Sequence, residues 1–202
     1  MARVKLKRQH PVIDMTAMSD VTVLLLTFFM LTSTFIQKEP VQVNTPASVS
    51  EIKIPETNVL QILVDPNGKI FLGLDKQDDR IQVLKTVGDK YGINFTKEEI
   101  NKFKLLNSFG VPIKQMKAFL ALEIKEQDKV LKDYGIPCDS TNNEFKVWVS
   151  AAREQNQDLR IAIKADQKTA YPKIKGVMNS LQDLNENRYN LITSLKEVAS
   201  EI

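Results

Sequence analysis

One acid stands in the most apolar stretch of this chain. Residues 17–36 read AMSDVTVLLLTFFMLTSTFI, and Asp20 is the only charged residue among them. A carboxylate at the centre of a lipid-embedded helix costs about 2.5–3.5 kcal/mol on insertion scales, so such an acid usually faces a protein interior or a water-filled path. There it can bind and release a proton. Asp20 lies only about 4.5 Å inside the boundary of the stretch, but Asp is short and reaches an interface poorly compared with Lys or Arg. Thr27 and Thr34 follow it at intervals of seven residues. On a helix, positions seven apart drift by only about 20°, so the three form one polar stripe. The threonine hydroxyls can bond back to carbonyls of the preceding turn. Alternatively, aligned with an acid, they form one wall of a proton path or a helix–helix contact.

The other candidate chemistry is thin. His10 is the one histidine and Cys138 the one cysteine. That excludes an intramolecular disulfide scaffold and a Cys-rich zinc site, and argues against a His-based triad. No Gly-rich phosphate loop, HExxH or GxSxG occurs. Asp166 follows the alternating run LRIAIKA and could sit at a sheet end, although an Asp there more often caps a turn or helix. Cys138 reads as a small buried or loop residue, since no activating His lies in its part of the chain.

These residues need elements to hold them. The chain has 202 residues, 43% hydrophobic and 26% charged, with a net charge of +3, an ordinary globular mixture too weakly basic to imply nucleic acid. Its basic excess is local. Arg3, Lys5, Lys7 and Arg8 precede the apolar stretch with no acid before Asp14, while Lys38 is the only base between 37 and 52. A 20-residue helix is about 30 Å long, roughly the hydrocarbon thickness of a bilayer. A cleaved signal peptide would need an A-x-A-like site, which is missing, and a core helix would be shorter and less Thr-rich. The stretch reads as an uncleaved anchor. The positive-inside rule puts the N-terminus in the cytoplasm. The expected organisation is a cytoplasmic N-terminus over 1–16, a transmembrane helix over 17–37, an extended Pro-containing linker over 38–58, and an α+β domain over 59–202.

Within that domain VLQILV (59–64) and 69–74 flank Asp65-Pro66-Asn67-Gly68, a hairpin signal. Residues 76–134 read as helical. Ile81, Leu84, Val87 and Tyr91 give one face, and Thr96 to Glu99 fits a capping box. Met116, Phe119, Leu120 and Ile124 continue the core. A helix over 143–156 with Phe145, Trp148 and Val149 inward, a strand over 159–164, a helix opened by Tyr171-Pro172 and a final strand over 189–195 complete an α+β fold: a small sheet packed on helices, with a helical insertion over about 76–140.

Two stretches carry a family resemblance. Ile13-Asp14-Met15-Thr16-Ala17-Met18-Ser19-Asp20-Val21, with the Leu/Phe-rich span to Met30, resembles the ExbD/TolR family, single-span components of proton-driven energisers in bacterial inner membranes. Ile163-Lys164-Ala165-Asp166, Tyr171-Pro172 and Val177-Met178-Asn179-Ser180-Leu181 look like its closing strand–helix segment. The resemblance covers 3–74 and 143–195. Ala17 stands where the family usually has a proline, and the insertion has no family role. The resemblance implies that Asp20 carries the proton. It also implies a homodimer inside a pentamer of an ExbB/TolQ-like multi-span partner, and a periplasmic domain that passes motion to a TonB- or TolA-like protein. No cofactor and no enzymatic activity are expected, the proton being the coupling ion. A TolR-like role in envelope integrity and a membrane-tethered adaptor are the alternatives, and a flagellar stator role is weaker.

Overall fold

The computed structural model describes residues 15–33, 41, 43–48, 57–139 and 142–195. The chain divides into two compact units, 1–37 and 38–202.

The first unit contains one described element, helix α1 (Thr16–Thr32), in which no residue is buried. Its 17 residues make about 26 Å at 1.5 Å per residue. The helix expected over 17–37 is thus seen only to Thr32. Among the described residues no helix is long and apolar enough to cross a membrane.

The second unit is a mixed sheet packed with helices. Strands β2 (Val59–Val64) and β3 (Ile70–Leu74) form the expected antiparallel hairpin, with Val64 opposite Ile70. In its turn Gly68 has φ +80°, and its N–H donates to the Asp65 carbonyl at 2.9 Å. Residues 76–134 expected as helix contain α2 (Gln77–Tyr91), α3 (Lys97–Leu105), α4 (Ile113–Ala121), α5 (Ile124–Val130) and a 3₁₀ turn (Leu131–Asp133). They also contain strand β4 (Ser108–Phe109), which pairs with β3. The insertion therefore extends the sheet rather than only padding it. Two residues flanked by helices offer too short a run for period-2 alternation to be visible.

The buried face of α2 comprises Arg80, Val83, Leu84 and Val87, while Tyr91 is exposed and Ile81 only half-buried. The apolar face is rotated from the one expected because Arg80 occupies part of it. Thr96 and Glu99 make the capping box at the start of α3, at 3.3 and 2.7 Å. Ile124, expected inward, is 55% exposed. The helix carrying Met116, Phe119 and Leu120 ends at Ala121, and the chain turns before Ile124 opens α5.

After α6 (Glu144–Gln155) comes β5 (Arg160–Ala165), parallel to β2, and then α7 (Tyr171–Asp183) with proline in its first turn. The strand expected over 189–195 is broken. β6 (Tyr189–Leu191) runs parallel to β5 and completes the order β4-β3-β2-β5-β6, while β7 (Ser194–Leu195) pairs with β1 (Ala47–Ser48) in a separate two-stranded sheet. Part of the stretch read as a linker is therefore docked: Val43 is buried and Ala47–Ser48 is paired. The core is continuous across the insertion. Phe109 lies 4.9 Å from Phe103 and 4.7 Å from Trp148, ring centre to ring centre, so α3, β4 and α6 share one aromatic cluster.

Candidate functional site

On α1, Asp20 is the only charged side chain from Thr16 to Thr32, and it is exposed. Its surroundings on the helix are apolar and equally open: Val21 is 64% exposed, Leu24 60% and Phe28 61%. Thr27 shares its stripe, but the Thr27 hydroxyl donates to the Leu24 carbonyl at 2.9 Å, and Thr22 and Thr32 donate to Met18 and Phe28. Back-bonding thus uses the Thr27 proton and leaves its oxygen able to accept. Thr34 lies outside the described residues.

In the second unit the acids at strand ends are turn caps. Asp65 and Asp166 follow β2 and β5, adjacent parallel strands, and both are buried. Asp65 Oδ1 accepts from the Lys69 N–H at 2.7 Å. Asp166 Oδ1 accepts from the Lys168 N–H at 2.8 Å and Oδ2 from the Asn44 N–H at 2.9 Å. These backbone donors hold the Asp166 carboxyl below its ordinary value, because they bond only to the charged form's full acceptor set. The capping role weighed for Asp166 is the one observed.

Cys138 is half-buried with its sulfur 3.3 Å from Ser180 Oγ. Burial raises its pKa above the ordinary 9.0, against the opposing Ser180 contact. A thiol held protonated is a poor nucleophile.

Two buried ionic residues gave no sequence signal. Arg80 donates to the carbonyls of Leu74, Asp75, Lys104 and Leu106 at 2.7–3.1 Å. It ties the end of β3 to the end of α3, and burial lowers its pKa. Glu144 is 2% exposed, and its Oε2 accepts from the Ile113 N–H at 2.8 Å, capping α4 from α6. Neither pattern is local in sequence, so no spacing rule finds them. Among the described residues no group of three or more His, Cys, Asp or Glu is placed to hold a metal.

A small mixed-sheet α+β domain and, earlier in the chain, a separate apolar helix marked by one acid define the class: a two-unit chain whose singular residue belongs to the helix and not to the domain. The chain belongs to the ExbD/TolR family, since the family model described as biopolymer transport protein ExbD/TolR matches residues 6–196. Members of this family are subunits of TonB- and Tol-type energisers; they are typically associated with the inner membrane and in general are not enzymes. The chain is also 27% identical over 81 residues to a protein of Campylobacter jejuni described as "Probable chromosome-partitioning protein ParB". That match covers 40% of this chain and 27% of the Campylobacter protein, so the chain spans about a quarter of that protein's length. No solved structure matches.

Proposed function

We propose that this chain is the proton-motive-force-coupled subunit of an inner-membrane ExbB–ExbD-like complex that powers TonB-dependent transport across the outer membrane. The observation that carries this reading is Asp20: a lone acid on a helix with no buried residue of its own, in a chain matched by the family nearly end to end. A helix apolar on every side needs lipid or neighbouring helices around it. Residues 17–37 are proposed as the single-pass anchor, with the N-terminus cytoplasmic and the domain periplasmic.

The physics of the step is a two-state bias. An ionised Asp20 is confined to polar surroundings, and a neutral one is not. Binding one proton frees the side chain to pass apolar surface, and losing it on the other side resets it. Thr27 and Thr34 would offer acceptor oxygens along the same stripe. One charge crossing 100 mV yields about 2.3 kcal/mol, enough to shift a helix contact but not to unfold a domain. Two copies of this chain within a pentamer of an ExbB/TolQ-like partner would turn or shift as Asp20 titrates. The periplasmic domain would pass that motion to a TonB- or TolA-like protein.

The test is Asp20→Asn in an energised-uptake assay, with expression and pull-down of the multi-span partner measured in parallel. Uptake is expected to vanish while partner capture stays normal; full uptake overturns the proposal. Loss of iron or vitamin uptake separates this reading from a Tol-type role, which would instead show as detergent sensitivity.

A further inference from the structure

At the β5–β6 end of the sheet one arginine opens β5 and another directly precedes β6. Ile161 pairs with Tyr189, and one step earlier on each chain are Arg160 and Arg188. Neighbouring strands lie about 4.7–4.9 Å apart, and residues in register on parallel strands point to the same face. Both arginines are exposed, and both line one open groove of about 1150 Å³.

The other charges of this groove are largely committed. Arg153 Nε donates to Glu186 Oε1 at 2.6 Å, and its Nη2 donates to Oε2 of the same carboxylate. Glu154 takes the Lys90 ammonium at 2.9 Å. Asp158 is the one remaining acid of the lining. Among the described residues neither the Arg160 nor the Arg188 guanidinium enters an ion pair or a hydrogen bond, while the Arg160 backbone N–H donates to the Asn58 carbonyl at 2.8 Å.

The pair is also held in place. Arg153 Nη1 donates to the carbonyls of Gln157 at 2.6 Å and Leu159 at 2.9 Å, directly before Arg160. The same guanidinium grips Glu186, two residues before Arg188. Asn185 (φ 61°) turns the chain there, and the Glu186 N–H donates to the Leu181 carbonyl at 2.9 Å. One residue thus fixes the approach of both strands to the groove.

Like charges in register destabilise a sheet unless an opposite charge joins them. Guanidinium forks match the oxygen geometry of phosphate and carboxylate, and a phosphate has enough lone pairs to accept from two forks at once. We infer that Arg160 and Arg188 form a binding site for a phosphate-type oxyanion, with Arg153 as the residue that positions them. The source of the phosphate is either the free ion or a phosphate ester carried on a larger molecule. The inference does not depend on the role proposed for Asp20.

The experiment is a titration of the full chain in detergent, followed by backbone amide shifts. Inorganic phosphate, glycerol 3-phosphate and acetate are added separately. Both phosphates are expected to give saturable shifts at 160 and 188–190, with acetate clearly weaker. Equal phosphates point to the free ion, and a tighter monoester points to a carried phosphate. Arg160→Gln/Arg188→Gln should weaken phosphate by roughly tenfold or more, the scale of a lost charged hydrogen bond. Its thermal midpoint without phosphate should be unchanged or raised. Arg188→Lys should fall between, and Asp158→Asn should tighten binding. Acetate binding as well as phosphate, shifts that do not saturate, or a double variant that binds as before each overturn the inference.

Discussion

The backbone N–H of Asn44 donates to Asp166 Oδ2 at 2.9 Å across 122 residues of sequence, and the Gln167 N–H returns a bond to the Asn44 carbonyl at 2.9 Å. This reciprocal pair joins the stretch before the hairpin to the end of β5. Val43, packed beside it, is buried. The domain therefore begins structurally before its first long strand.

Asp166→Ala is expected to release residues 43–48, since it removes the acceptor for two backbone donors. Hydrogen exchange at Asn44 and Lys168 should speed up while exchange within β2 and β5 stays slow. The same carboxylate gives a pH dependence. Its folded pKa lies below the ordinary 3.8, so its stabilising contribution is complete above the unfolded value and fades as pH falls through the lower, folded one. Wild-type protein should show protection at Asn44 that declines only in that acid range, and the Ala variant should lack the decline.

Gly110→Ala tests a close approach. A Cβ at this position would lie 2.1 Å from Phe71 Cδ1, with two more ring atoms within 3 Å. Phe71 is fully buried, so the ring has nowhere to move. Overpacking of this kind costs about 1–3 kcal/mol, and a lower urea midpoint with unchanged slope should report it.

Glu144→Ala leaves the Ile113 N–H without its acceptor at the start of α4. An unsatisfied buried donor costs about 1–3 kcal/mol, so the expected loss of stability falls in that range. Glu144→Gln keeps an acceptor oxygen and should recover part of it. Equal loss in both variants would show that the charge, not the hydrogen bond, matters.

Cys138 should react slowly with a thiol reagent at neutral pH, because burial lifts its pKa above 9.0 and keeps the thiolate scarce. Ser180→Ala removes the contact that opposes this shift, so the rate should fall further. A rate matching a free cysteine would contradict the geometry.

Several elements were legible because their causes are local. The Asp65–Gly68 turn, the Thr96–Glu99 capping box and the proline at the start of α7 all depend on residues within four positions of one another. Phe145, Trp148 and Val149 face inward as their helical spacing predicts. The strand at Ser108–Phe109, the break at 192–193 and the docking of 43–48 were not legible. Each exists because a distant strand or carboxylate offers a partner, and a short segment carries no periodicity of its own.

By itself the sequence determined the lone acid at position 20 within an apolar run, the α+β class and the family. The acid and the class follow from composition, charge and spacing along the chain, and the family from the resemblance of the stretch around Asp20 and of the closing strand–helix segment. Tertiary structure alone decided that Asp65 and Asp166 are spent on turns, that Arg80 and Glu144 are buried against backbone partners from other elements, and that Arg160 and Arg188 line one groove. The physical reason is that hydrogen bonds and charge proximity act over ångströms in space, and 28 residues of sequence separate those two arginines.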